Sequence, residues 1–179
     1  MRADTYDWLP ELFELNKFDG DWGAYLDAAY GYFVADFITD EPVFLGRTVK
    51  SKRHVAYEGK DHSFWHCVEE QCKGEMVSED NRVPKISLLE RIRWPRPVIE
   101  HAISSPGVLA WTEVYRGHGA KRRVHLYLED EGYVVVLDPR GKDEKGNPAY
   151  YFLWTTFLCE DEIARRKMLR RYEKGSKMN

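Results

Sequence analysis

An α+β fold is predicted by three features of the chain. Helix-patterned segments open it, four strand-patterned runs joined by short turns fill residues 108–157, and a charged helix-patterned segment closes it. In full, the expectation is an N-terminal helical hairpin, then a four-stranded antiparallel meander with packed helices, then a C-terminal helix.

From Thr5 to Phe18, Trp8, Leu9, Leu12, Phe13 and Leu15 suit a short amphipathic helix, with Pro10 in its first turn. Asp21 is placed to cap a second helix, where Tyr25, Ala28, Ala29, Tyr32, Phe33 and Phe37 recur at three and four. The pair reads as an acidic hairpin over residues 1–42, an appendage to an α+β domain over 43–179. Val43–Leu45 and Thr48–Lys50 have strand character about a bend at Gly46, and Ser63–Val68 reads as a further extended, aromatic-rich segment. Residues 73–85 are polar and read as a loop. After Ile86–Trp94, Pro97 fits the first turn of a helix through Val98, Ile99, Ala102 and Ile103.

The four clearest strand runs are Val108–Arg116, Lys121–Leu128, Tyr133–Pro139 and Ala149–Phe157. Gly117-His118-Gly119-Ala120, Glu129–Gly132 and Arg140–Pro148 connect them, and such short connections favour an antiparallel meander. The closing helix spans about Glu160 to Glu173. Its acidic first turn and its Arg170 and Arg171 near the end complement the helix dipole.

Composition narrows the function classes. The chain has 179 residues, 43% hydrophobic and 14% aromatic, enough to bury one core and too much for a disordered chain. No apolar run approaches the ~20 residues of a membrane span, and the acidic N-terminus is unlike a signal peptide. Three irregularly spaced cysteines make no disulfide framework, so the chain reads as soluble and cytoplasmic. The net charge of −3 is unevenly spread. Residues 1–46 hold ten acidic and two basic side chains, whereas 82–125 hold nine basic and three acidic. A protein's field acts locally, so the basic stretch can attract polyanions despite the acidic total; solvated faces of chance composition are the plainer alternative.

Several motifs fail on mechanism. GHGAKR at 117–122 lacks a Ser or Thr after the lysine and leads into a strand, so it is a turn and not a phosphate loop. His62, His66, Cys67 and Cys72 have loose ligand spacing. An extended segment, however, points His66 and Cys67 to opposite faces, so no metal and no cofactor are expected. Cys159 shows no sign of activation.

The strand Lys121–Leu128 is more informative. Val124, Leu126 and Leu128 alternate with Arg123, His125 and Tyr127, giving one apolar face and one carrying guanidinium, imidazole and phenol. The last strand adds either Tyr151 and Thr155, or Tyr150, Trp154 and Thr156, to a given face. Imidazole suits general acid or base work near neutrality, and arginine stabilises a charged phosphorane. The plainer account is a solvated polar face with packed aromatics. Arg91 and Arg93 are candidate phosphate contacts, with Trp94 available for base stacking; an exposed strand edge is the alternative. The run Arg165–Lys167 with Arg170 and Arg171 reads as a solvated helix face or an RNA-facing strip.

YEGKDHSFWHCVEE (57–70), LLERIRWPRPVIEHA (88–102), KRRVHLYLEDEGYVVVLDPRG (121–141) and YYFLWTTF (150–157) together resemble phage- and mobile-element-encoded proteins of the barnase–EndoU–colicin–RelE-like nuclease group. The resemblance covers roughly residues 43–173. It implies a compact α+β fold whose concave sheet face holds the site, and a metal-independent ribonuclease activity. His66 resembles the Trp-His histidine, Arg93 or Arg91 the basic residue before the helix, Arg123 the strand arginine, and Thr155 or Thr156 the terminal hydroxyl.

The resulting expectation is an RNA-binding protein acting as a metal-independent endoribonuclease. Its catalytic residues would be His66, Arg123, His125, Tyr151, Thr155 and Thr156, and its RNA contacts Arg91, Arg93, Trp94, Arg96, Lys121 and Arg122. The acidic hairpin reads as a shield for the basic face until a partner removes it, and a protein inhibitor is a separate candidate partner. A non-catalytic interaction protein of the same fold is the alternative.

Overall fold

The computed structural model describes residues 6–69, 84–117 and 119–178. The loop expected over 73–85 falls, up to residue 83, outside them, as do Cys72 and His118.

The first expected helix does not form. Residues 6–14 run irregularly and end in a 3-10 turn, Leu15–Phe18, because Pro10 and the short span leave too few backbone bonds for a helix. Helix α1 (Trp22–Val34) starts where expected, with the Asp21 side chain accepting from the Ala24 N–H, and continues as a π-helical turn over Ala35–Thr39. Strands β1 (Val43–Phe44) and β2 (Arg47–Lys50) form a hairpin. Leu45 and Gly46 both have positive φ between them, as a two-residue primed turn requires. A small ribbon, β3 (Val55–Tyr57) and β4 (Lys60–Asp61), leads into α2 (His62–Val68). The extended reading of Ser63–Val68 is therefore corrected to a helix. The short helices α3 (Ile86–Leu89) and α4 (Pro95–His101) follow, the latter with proline at its start.

Strands β5 (Val108–Gly117), β6 (Gly119–Leu128), β7 (Tyr133–Arg140) and β8 (Tyr150–Leu158) match the four expected runs closely and pair antiparallel in sequence order. Helix α5 (Glu162–Lys174) closes on Asp161, whose carboxylate accepts from the Ala164 N–H, and β9 (Ser176–Lys177) returns to pair with β5. The class is α+β, but the sheet is larger than a four-stranded meander. It has seven strands in the order β1-β2-β8-β7-β6-β5-β9, and β2 runs parallel to β8. The additions come from pairings between segments distant in sequence, each only two residues long.

Each face of the sheet has its own apolar cluster. Val124, Leu126, Leu128, Val135, Leu137 and Leu153 pack with α1, α2 and α4 through Tyr25, Phe33, Phe64, Val68 and Val98. On the opposite face Trp111, Tyr127, Val134 and Val136 pack with Cys159 and with Met168 of α5. Phe13, Leu26, Ala29 and Phe37 belong to the first cluster, so the N-terminal segment shares the core of the rest. Among the described residues no helix is long and apolar enough to cross a membrane.

Candidate functional site

The face of β6 that carries Arg123 and His125 lines a cavity of about 720 Å³ between the sheet and α5. The β5–β6 hairpin sets its floor: Trp111 lies opposite His125, and Glu113 opposite Arg123. Alternation then places Trp111, Glu113 and Tyr115 on the same side as Arg123 and His125. From β8, Trp154 reaches the cavity at a bulge, where the register with β7 shifts between Val136 and Leu137. Arg171, Lys167 and Met168 enter from α5.

Four of these side chains form one hydrogen-bonded cluster. The Arg171 guanidinium holds Glu113 by two edges, Nη2 to Oε2 at 2.6 Å and Nε to Oε1 at 3.0 Å. Its Nη2 lies 2.5 Å from the Tyr115 hydroxyl and 3.0 Å from His125 Nε2, and that hydroxyl is itself 3.0 Å from Nε2. A guanidinium only donates, so Nε2 must be an acceptor: Tyr115 O–H donates to it, and the imidazole is neutral with its proton on Nδ1. Burial, with the Arg171 charge next, lowers the pKa of His125 to about 4, which agrees with an uncharged ring. His125 is only 1% exposed, stacks on Trp111 at 5.1 Å between centroids, and has no hydrogen-bond partner for Nδ1 among the described residues. Burial works against the Glu113 carboxylate, but hydrogen bonds from Arg171 and Trp111 outweigh it and lower its pKa. Burial raises the pKa of Tyr115, which is 43% exposed and keeps its proton at neutral pH.

Arg123 is the exception in charge balance. Lys85 is matched by Glu160 at 2.7 Å and Arg171 by Glu113, whereas Arg123 has no ion pair and no hydrogen bond among the described residues, and its Nε is buried. Its guanidinium lies flat on Trp154, 3.6 Å from the ring centroid, with Tyr115 at 5.9 Å. Stacking holds the planar group while leaving its in-plane N–H donors uncommitted. Burial lowers its pKa; the Asp138 charge opposes this, and Asp138 is bonded to Arg140 at 2.6 Å.

The other expected site residues separate into different regions. Thr155 and Thr156 are buried and donate to the carbonyls of His66 and Cys67 at 2.6 and 2.7 Å, so they fasten α2 to β8; Thr155 also borders the cavity. His66, half-buried on α2, does not line the cavity and has Trp154 between it and Arg123, its ring 6.2 Å from the indole. Tyr151 is buried on the opposite sheet face against Phe44. Trp94 is 3% exposed, packs on Tyr133 and donates to the Pro10 carbonyl at 2.9 Å, so it offers no platform for a base. Arg91 bonds the Ser87 carbonyl, Arg93 covers Tyr32, and Arg96 bonds Asp40 and Glu100. These arginines belong to the helical side of the fold and not to the cavity. Lys121 and Arg122 are exposed on β6. Residues 6–42 contribute nothing to the lining.

Sequence reasoning missed Glu113, Tyr115 and Arg171 as members of the site. The first two follow from a hairpin centred between Gly117 and Gly119, which fixes Glu113 opposite Arg123. Among the described residues no group of three or more His, Cys, Asp or Glu is placed to hold a metal ion. Comparison with protein-family models, curated proteins and solved structures finds no match for this chain.

Proposed function

We propose that the chain is an RNA-binding protein of the nuclease-like type that takes a phosphodiester at Arg123. One observation carries this reading: a half-buried guanidinium with no carboxylate partner among the described residues, clamped on Trp154 and lining an open cavity. A buried cation without a partner is costly, and a ligand anion with oxygens in the guanidinium plane relieves that cost. Exposed Lys167 in the lining and Lys121 further along β6 extend the positive surface for the flanking backbone.

Cleavage is a second reading, favoured by Tyr115. Its phenol oxygen accepts from Arg171 and its proton goes to His125 Nε2, so it acts as an acid when a leaving ribose oxygen takes that hydrogen bond in place of Nε2. Acting as the base is harder for this cluster, because Glu113 is paired with Arg171 and His66 lies outside the cavity. Binding is therefore the stronger of the two.

Fluorescence anisotropy with a labelled single-stranded RNA, in EDTA, tests both. Arg123→Ala should weaken binding by about 1.5–3 kcal/mol, the usual worth of charge-assisted hydrogen bonds, with Arg123→Lys intermediate. Equal affinity in wild type and Arg123→Ala, or no binding by either, overturns the reading. Gel analysis of the same mixtures reads cleavage, which Tyr115→Phe should abolish if the second reading holds.

A further inference from the structure

Residues 62–68 form a helix, and its pitch brings His62 and His66 onto one face, one turn apart. Their Nε2 atoms stand 3.2 Å apart and their ring centroids 4.2 Å. An ion about 2.0–2.1 Å from both nitrogens would subtend roughly 100–105° at that separation, close to the tetrahedral angle that zinc adopts with imidazole ligands. Without metal, the same spacing serves an N–H···N hydrogen bond between the two rings. Metal entry requires that both rings present an unprotonated Nε2.

We propose that His62 and His66 form a two-imidazole chelate for a divalent transition metal of the zinc class, on the flank of α2. Among the described residues no third His, Cys, Asp or Glu is grouped with them. The rings are partly fixed before any ion arrives. Both are half-buried, Trp154 packs beside His66, and the Thr155 hydroxyl holds the His66 carbonyl. Exposed His54 is the nearest further imidazole, its ring 5.3 Å from that of His62. Lys52 shares a shallow depression with both histidines, and its positive charge opposes an incoming cation. This site rests on observations separate from the Arg123 cavity, so either proposal can fail alone.

Zinc is titrated into the full chain in competition with a chromophoric zinc indicator, and the fold of each variant is checked by circular dichroism. Wild type is expected to bind one zinc ion. His62→Ala is expected to weaken binding about a hundredfold by removing one arm of a chelate, and Lys52→Ala to strengthen it. His66→Gln serves as the second ligand variant, since the longer amide keeps a polar group at a half-buried position. No zinc uptake by wild type, or unchanged affinity in a folded His62→Ala, overturns the proposal.

Discussion

His125 carries a proton balance that the protein's stability must report. Burial and the neighbouring Arg171 and Arg123 charges lower its pKa from the ordinary 6.5 to about 4, with Glu113 opposing and the Tyr115 hydroxyl donating to its Nε2. An unfolded chain takes up this proton near pH 6.5, whereas the folded one refuses it until about pH 4. The stability contributed by the neutral ring is therefore complete above the unfolded pKa and is lost as pH falls toward the folded one, by an amount on the order of 3 kcal/mol. Urea midpoints measured from pH 7 to 4 should fall more steeply for wild type than for His125→Gln, whose amide oxygen accepts from Tyr115 without titrating. Parallel slopes in the two proteins would refute the assignment. At this scale the sequence was informative where alternation decides: Arg123 and His125 share a face because they are two residues apart on a strand. It placed Arg171 only on a basic strip of the closing helix and not beside His125, because that side chain meets Glu113 only once α5 has docked across the sheet, 58 residues further along the chain.

Among the elements, α2 shows tertiary context overriding local pattern. HSFWHCV carries Phe64, Trp65 and the β-branched Val68, which favour a strand on propensity, and seven residues are too few for a helix to persist alone in water. The sheet supplies what the helix lacks. The Thr155 and Thr156 hydroxyls donate to the carbonyls of His66 and Cys67, two of the acceptors that a helix C-terminus leaves unmatched. Thr156→Val keeps the shape of the side chain but leaves the Cys67 carbonyl without that donor in a buried setting. It is expected to cost about 1–3 kcal/mol in a urea melt, with Thr156→Ser retaining most of the stability; a neutral Thr156→Val would show that the helix holds without this anchor. The same two threonines carried catalytic expectations from their place at the end of the last strand. Thr155 borders the cavity and Thr156 does not, and both hydroxyls are committed to the backbone of α2.

Across the whole molecule, charge and core lead to the same conclusion about the N-terminal residues. Asp40 and Asp27 are engaged by Arg96 and Lys60 at 2.8 and 2.6 Å, so part of the acidic excess read from the sequence is matched to cations within the fold. Phe13 N–H donates to the Glu90 carbonyl, Tyr25 to that of Phe13, and the Trp94 indole to that of Pro10, while Trp8 stacks on His101. Composition exposed the charge asymmetry, but which cations neutralise it depends on contacts some thirty to sixty residues apart. Phe33 packs on Phe37 and Phe64, and Phe13, Tyr25, Leu26 and Ala29 belong to the same buried cluster, so removing residues 1–42 strips these side chains from the core. Losing several such side chains, at about 1.5–3 kcal/mol each, equals or exceeds the 5–15 kcal/mol by which domains of this size are stable. Residues 43–179 expressed alone are accordingly expected to lack a cooperative thermal transition and to bind a hydrophobic dye, whereas the full chain melts cooperatively. A shortened chain that unfolds in one sharp step, with near-ultraviolet dichroism like that of the full protein, would mean that the sheet and its short helices are stable without the N-terminal layer.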